Sequence, residues 1–323
     1  MRETPTPGAQ SSSLQLLDPA FYLSGVQAQA IATVLNFIDA YNAGRLQDAL
    51  GLLDDRHFGQ VTDCDFRKGM VRTFTGKPEA MEWLRARTAD HDQLQLAAVS
   101  AKVAAGPAEL RIDLVDRTDT PDPPGSRQRR AAPTPVRAVL TADGDRLVEL
   151  KFAVTSAQCR SDRVLDVPSP GAPAFRLGAI WARQVATIMN FVGAYNARNL
   201  NAALALLDDD LPSVSDCNYR EGTGIRHNGK SGAAVWLQER FDDHDGITLG
   251  TVWKSGGSAP MEVGWAKRTS DTLRSLGFAD GIRPVLATKV QFSSEGRRLG
   301  TFFLSRAHET GEAREECRPA GST

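Results

Sequence analysis

Thr33-Val34-Leu35-Asn36-Phe37-Ile38-Asp39-Ala40-Tyr41-Asn42-Ala43 returns further along the chain as Thr187-Ile188-Met189-Asn190-Phe191-Val192-Gly193-Ala194-Tyr195-Asn196-Ala197. The echo continues well beyond this stretch. Leu52-Leu53-Asp54-Asp55 matches Leu206-Leu207-Asp208-Asp209, and Asp63-Cys64 matches Asp216-Cys217. Gly76-Lys77 matches Gly229-Lys230, Trp83-Leu84 matches Trp236-Leu237, and Asp90-His91-Asp92 matches Asp243-His244-Asp245. Residue 36 against 190 is an offset of 154, and residue 64 against 217 an offset of 153, so one deletion separates the copies. Repeats of 20 to 50 residues make solenoids; a period this long means two copies of a whole domain.

Each copy begins with a helical stripe. Ile31, Val34, Leu35, Ile38 and Tyr41 fall at helical spacing, and Val185, Ile188, Met189, Val192 and Tyr195 repeat it. Gly44 suits the end of the first stripe, and Asn199 is expected to end the second. A shorter helix is predicted over 47–53 and 201–207. Two short strands follow, 61–66 and 71–74 in the first copy. A third helix opens at Pro78, with Met81, Trp83 and Leu84 behind it, and its copy runs over 231–241. Four strand-like runs complete each copy. The last two of the first copy flank Asp143-Gly144-Asp145, a hairpin signal; those of the second flank Glu295-Gly296. The expected fold is α+β: two tandem cone-shaped domains, each with three helices packed on a curved, mostly antiparallel sheet. The boundaries read as a flexible tail over 1–24, a first domain over 25–160, a Pro-rich linker over 161–178 and a second domain over 179–318. Within the first domain, 118–133 reads as a solvated loop whose basic cluster serves solubility.

Composition narrows the function classes. The 323 residues carry 41% hydrophobic and 24% charged side chains with a net charge of −1. That balance gives no electrostatic reason to bind nucleic acid or an anionic membrane. No apolar run reaches the roughly 20 residues of a membrane span. Cys64 and Cys159 lie in the first copy and Cys217 and Cys317 in the second, each pair joining a mid-domain position to the domain's end. One disulfide per domain fits this arrangement and implies an extracytoplasmic address, secreted or envelope-tethered. Four reduced thiols would imply the cytoplasm. The spacing offers no metal set, and no phosphate loop or nucleophile elbow appears, so no cofactor is expected.

The run Asn36-Phe37-Ile38-Asp39-Ala40-Tyr41-Asn42-Ala43-Gly44-Arg45-Leu46-Gln47-Asp48-Ala49-Leu50, the later Gly-Lys-x-x-Ala-x-x-Trp-Leu and the element order resemble the nuclear transport factor 2-like superfamily, in particular its SnoaL-like branch. The resemblance implies a cystatin-like α+β fold; the superfamily holds isomerases, cyclases, dehydratases and non-catalytic binding domains, so it decides no function. In its isomerases a carboxylate after the second helix removes a proton, and that position falls at or near Asp63 and Asp216. The phenol that stabilises the enolate falls on Phe37 and Phe191, which cannot donate a hydrogen bond.

Two accounts stand open for each polar candidate. Asp63 and Asp216, with His91 and His244, would form acid–base pairs; equally, the Asp residues can bond nearby backbone and the His residues can end a helix. Arg117 and Arg268 recur at a strand end, where they could bind an anion, although a solvated arginine is the default there. Phe37, Tyr41 and Trp83 in the first copy, and Phe191, Tyr195, Trp236, Trp253 and Trp265 in the second, are the candidate lining of a ligand site at the mouth between helix and sheet. The second copy, richer in tryptophan, is the better candidate. The favoured function is a non-catalytic binding module for a small apolar ligand or a protein partner, its domains paired within the chain. The alternatives are a SnoaL-like cyclase, isomerase or dehydratase using the Asp/His pair, and a structural assembly module without a pocket.

Overall fold

The computed structural model describes residues 20–65, 70–101, 109–117, 134–152, 175–211, 213–256, 260–282, 287–293, 295–303 and residue 317. Strand β1 (Phe21–Ser24) leads into helix α1 (Gly25–Asn42), followed by α2 (Leu46–Gly51), β2 (Gln60–Asp65), β3 (Met70–Thr75) and α3 (Gly76–Ala89). Strands β4 (Leu94–Ala101), β5 (Glu109–Arg117), β6 (Thr134–Leu140) and β7 (Leu147–Lys151) close the first half. The second half repeats the order: β8 (Phe175–Gly178), α4 (Ala179–Asn196), α5 (Leu200–Ala205), β9 (Ser213–Asn218), β10 (Thr223–Asn228), α6 (Gly229–Asp242), β11 (Gly246–Lys254) and β12 (Met261–Thr269). A short helix α7 (Asp271–Ser275) then precedes β13 (Ala287–Phe292) and β14 (Leu299–Phe303).

The starts of these helices are written locally. Ser24 accepts from the Gln27 amide at 3.3 Å while the Gln27 side chain accepts from the Ser24 amide at 2.9 Å, a reciprocal cap on α1. The stripe Ile31, Val34, Leu35 and Ile38 is buried against the sheet, each side chain contributing roughly 1.5–3 kcal/mol by leaving water. Thr33 Oγ1 donates to the Gly144 carbonyl at 2.8 Å, and Thr187 Oγ1 to the Gly296 carbonyl at 2.9 Å, tying each long helix to its half's final hairpin. Gly144 has φ of 78°, and a Cβ there would lie 2.8 Å from the Val26 carbonyl oxygen, so only glycine lets the hairpin approach the helix.

Among the described residues both sheets have seven strands in matching order, β8-β4-β5-β6-β7-β2-β3 and β1-β11-β12-β13-β14-β9-β10. Pairing is antiparallel except where β7 meets β2 and β14 meets β9. The expected α+β class, with helices backing a curved and mostly antiparallel sheet, is what the chain adopts.

The edge strands are exchanged. β1 precedes the first half's helix yet pairs with β11 of the second half, Leu23 opposite Val252. β8 precedes the second half's helix yet pairs with β4 of the first, Leu177 opposite Val99. Residues 21–24 and 175–178, expected as the ends of a tail and a linker, are therefore strands, with Phe21, Leu23, Phe175 and Leu177 buried. Helices α1 and α4 pack together, and Asn36 and Asn190 bond to each other across them. Gly25 makes the crossing possible, since a Cβ at this position would stand 2.4 Å from the Leu249 carbonyl oxygen.

Candidate functional site

Asp63 lies on β2 facing α3 and is 1% exposed. Its Oδ2 accepts from Trp83 Nε1 at 2.8 Å and pairs with Arg87 Nη2 at 2.9 Å, and its Oδ1 accepts from the Cys64 amide at 2.7 Å. Asp216, at the same place in the second half, accepts from Trp236 Nε1 at 2.9 Å and from the Cys217 amide at 2.7 Å. Arg268 grips it with Nη1 at 2.5 Å and Nη2 at 2.8 Å, and Arg240 Nε lies 3.3 Å away. The tryptophan and arginine come from successive turns of α3 and α6, four residues apart, so one helical face reaches the carboxylate twice.

Arg268 also binds Asp245, through Nε at 2.9 Å and Nη2 at 2.6 Å, and sits 5.2 Å from the ring centre of Tyr219. It is 1% exposed. The strand-end arginine expected to be solvated is thus the centre of a buried network of two carboxylates and two guanidinium groups. Burial pushes Asp216 upward, but Arg268 and Arg240 outweigh it and hold the carboxyl well below its usual range. The two carboxylates hold Arg268 more firmly charged than a free arginine despite its burial. Burial raises Asp245 and, strongly, the phenol of Tyr195. A carboxylate with its lone pairs occupied and its proton affinity lowered is a poor general base.

The histidines stand elsewhere. His91 and His244 follow the ends of α3 and α6 with φ of 55° and 51°, the left-handed position that closes a helix, and His91 is exposed. His244 Nδ1 lies 2.7 Å from Asp271 Oδ2 on α7, with both side chains about half exposed. The residue after each histidine turns inward: Asp92 accepts from the Tyr41 hydroxyl at 2.7 Å, and Asp245 takes Arg268. Asp92 and Asp245 are 4% and 3% exposed. Their one signal in the sequence is repetition, each acid standing two residues before an aliphatic side chain, Leu94 or Ile247, of the next strand. Arg87 and Arg240 repeat too, yet a helix-terminal arginine is ordinarily solvated.

Of the aromatic candidates, Phe37 lines an apolar hollow between α1 and the first sheet. Its other walls are Val34, Ile38, Ile112, Leu114, Leu150 and neighbouring aliphatic side chains, and the free space inside it is about 10 Å³. That is room for about one water, far below the roughly 300–1,000 Å³ usual for ligand sites. Trp83 lies behind it, its ring 6.4 Å from Phe37 and 5.4 Å from Phe152, and Tyr41 packs 5.5 Å from Trp83. The hollow lies in the first half; the other candidate residues belong to the second. There Phe191, Tyr195, Trp236 and Trp265 are buried in the core, and the Tyr195 hydroxyl meets no partner among the described residues. Trp253 lies against the exposed Tyr22 of the exchanged strand, ring centres 6.4 Å apart.

Cys217 and Cys317 form a disulfide, with Cα atoms 5.1 Å apart, packed with Tyr219 and Leu273. Cys159 lies outside the described residues, and with it the expected pairing to Cys64. No helix among the described residues is long and apolar enough to cross a membrane.

No family model and no curated protein matches the chain. Solved structures do. An uncharacterised cystatin fold protein from Novosphingobium aromaticivorans is 20% identical over 40% of this chain and 97% of its own, with a TM-score of 0.26. A putative polyketide cyclase from Pseudomonas putida is 16% identical over 38% of this chain and 88% of its own, at 0.26. The orange carotenoid protein of Anabaena, bound to canthaxanthin, is 17% identical over 37% of this chain and 34% of its own, at 0.27. The similarity is to cystatin-like folds, as the sequence resemblance implied, and at these scores it carries no argument about function.

Proposed function

We propose that the chain is a non-catalytic binding module for a small apolar molecule, with its two domains paired inside one polypeptide. The observation that supports this best is the first half's hollow, whose walls from α1, β4, β5, β6 and β7 are apolar throughout. Its free space of about 10 Å³ holds about one water, so an apolar ligand enters only as the wall side chains move apart. The exchanged strands, the packing of α1 on α4 and the Asn36–Asn190 bonds support the internal pairing. The Cys217–Cys317 bridge favours an oxidising, extracytoplasmic setting. A SnoaL-like acid–base enzyme is the weaker reading. Asp216 is tied into ion pairs that lower its proton affinity, and His244 faces Asp271 at the surface instead.

The experiment is thermal unfolding of the full chain in benzene, toluene or cyclohexane, compared with an Ile112→Phe variant that narrows the hollow. A ligand at 100 times its Kd stabilises by about 2.7 kcal/mol, so the melting temperature of the wild-type chain rises with concentration. The variant shows little or no rise. Equal responses from both proteins would refute the assignment to this hollow.

A further inference from the structure

The two exchanged strands match in what they bury and differ in what they turn outward. Phe21 and Leu23 on β1 correspond to Phe175 and Leu177 on β8, and all four are buried. Their seats correspond as well. Phe21 and Leu23 lie opposite Lys254 and Val252, Phe175 and Leu177 opposite Ala101 and Val99, so 254 against 101 and 252 against 99 keep the offset of 153. Exchanging a like element is a low-cost way to join two folded units, and burial alone would let either strand fit either sheet. The outward residues distinguish them. Tyr22 lies against Trp253 of the second sheet, ring centres 6.4 Å apart. Arg176 Nη2 instead pairs at 3.2 Å with Asp113 of the first sheet, a carboxylate that Arg111 Nε also holds at 2.9 Å and that is 8% exposed. The residue that follows each strand matters more. Gly25 corresponds to Ala179. A Cβ at Gly25 would lie 2.4 Å from the Leu249 carbonyl oxygen and 3.4 Å from that of Gly250, both backbone atoms. The first sheet, by contrast, already seats an alanine at that place.

We infer that the halves are non-interchangeable partners: the seat on β11 takes the leading strand of a first half and refuses that of a second, with Gly25 setting the specificity, while Arg176 and Asp113 match β8 to the first sheet. The partner that each half fits is the opposite half. This rests on the pairing of the halves in the proposed function, and not on its ligand. Seating β8 on β11 would press the Ala179 methyl into backbone, which cannot swing aside as a flexible side chain can, and would part Arg176 from Asp113. The reverse move, β1 onto β4, meets no such bar but leaves Asp113 with one arginine and Tyr22 without its cross-strand tryptophan.

The experiment uses the full chain with a protease site placed within residues 161–174, which separates the halves without touching a described element. The folded protein is cleaved, unfolded in urea without reductant and refolded, and native mass spectrometry weighs the pairs that form. Nearly all pairs should hold one first half and one second half, since a second half finds no other strand for its β11 edge. Ala179→Gly adds no atoms and removes the bar, so the cleaved variant should also form pairs of two second halves. Gly25→Ala should lower the share of mixed pairs, with circular dichroism confirming that the halves are folded. As many like pairs as mixed ones from the unaltered halves would overturn the inference while leaving the pairing itself intact. An Ala179→Gly protein that forms no pair of two second halves would overturn the role of Gly25. Halves that refold but stay single would contradict the pairing on which the inference rests.

Discussion

Asn36 and Asn190 occupy the same place in the two halves and bond to one another, Asn36 Nδ2 to Asn190 Oδ1 at 2.8 Å and the reverse at 3.0 Å. Each amide is the other's partner on the contact between the two long helices. Replacing one by leucine leaves the other half-buried and unpaired, at a cost of about 1–3 kcal/mol. Replacing both should cost less than the two single changes together. Urea unfolding of both single variants and the double variant measures this coupling directly.

Arg268 joins Asp216 and Asp245 with side chains that are nearly inaccessible. Arg268→Met removes the cation and strands two buried carboxylates, so a loss of roughly 3–5 kcal/mol is expected. Exposed pairs such as Arg45–Asp48 should contribute no more than about 1 kcal/mol when broken. Equal losses at the two places would show that the buried network is solvated after all.

The pH dependence follows from the lowered pKa of Asp216. A depressed folded-state pKa stabilises the fold fully above the unfolded value, about 3.9, and that contribution is lost as pH falls below it. The wild-type melting temperature should therefore drop below about pH 4. Asp216→Asn should be less stable at pH 7 and lack this part of the acid drop. Calorimetry across pH 2.5–7 distinguishes the two curves.

The Cys217–Cys317 bridge spans 100 residues of sequence. Closing a loop of that length is worth up to about 4.7 kcal/mol in the chain-entropy model. Cys217→Ser should lower stability by a few kcal/mol and should release the packing around Tyr219 and Leu273, read as faster amide exchange at those residues.

Much of the fold was legible because the chain repeats itself and because helical spacing at Ile31, Val34, Leu35 and Ile38 leaves little choice of face. Elements of four residues were not. β1 and β8 are too short to show periodicity, and their partners belong to the other half, which no local pattern reports. The left-handed residue closing the second long helix is Arg198, with φ of 54°, and not Asn199, which caps the next helix by accepting from the Ala202 amide at 3.0 Å. The polar site was half legible. Asp63 and Asp216 were singled out by the family resemblance, but what they touch depends on Trp83, Arg87, Trp236, Arg240 and Arg268. Those residues come from other elements and meet the acids only in the folded chain.

The most direct measurement is a titration of benzene into the methyl-labelled full chain, followed by NMR. Saturable shifts should be confined to the methyl groups of Val34, Ile38, Leu94, Ile112, Leu114, Val136, Leu147 and Leu150, which wall the hollow. Shifts that fail to saturate, or that centre on the methyl groups of the second half instead, would contradict the account.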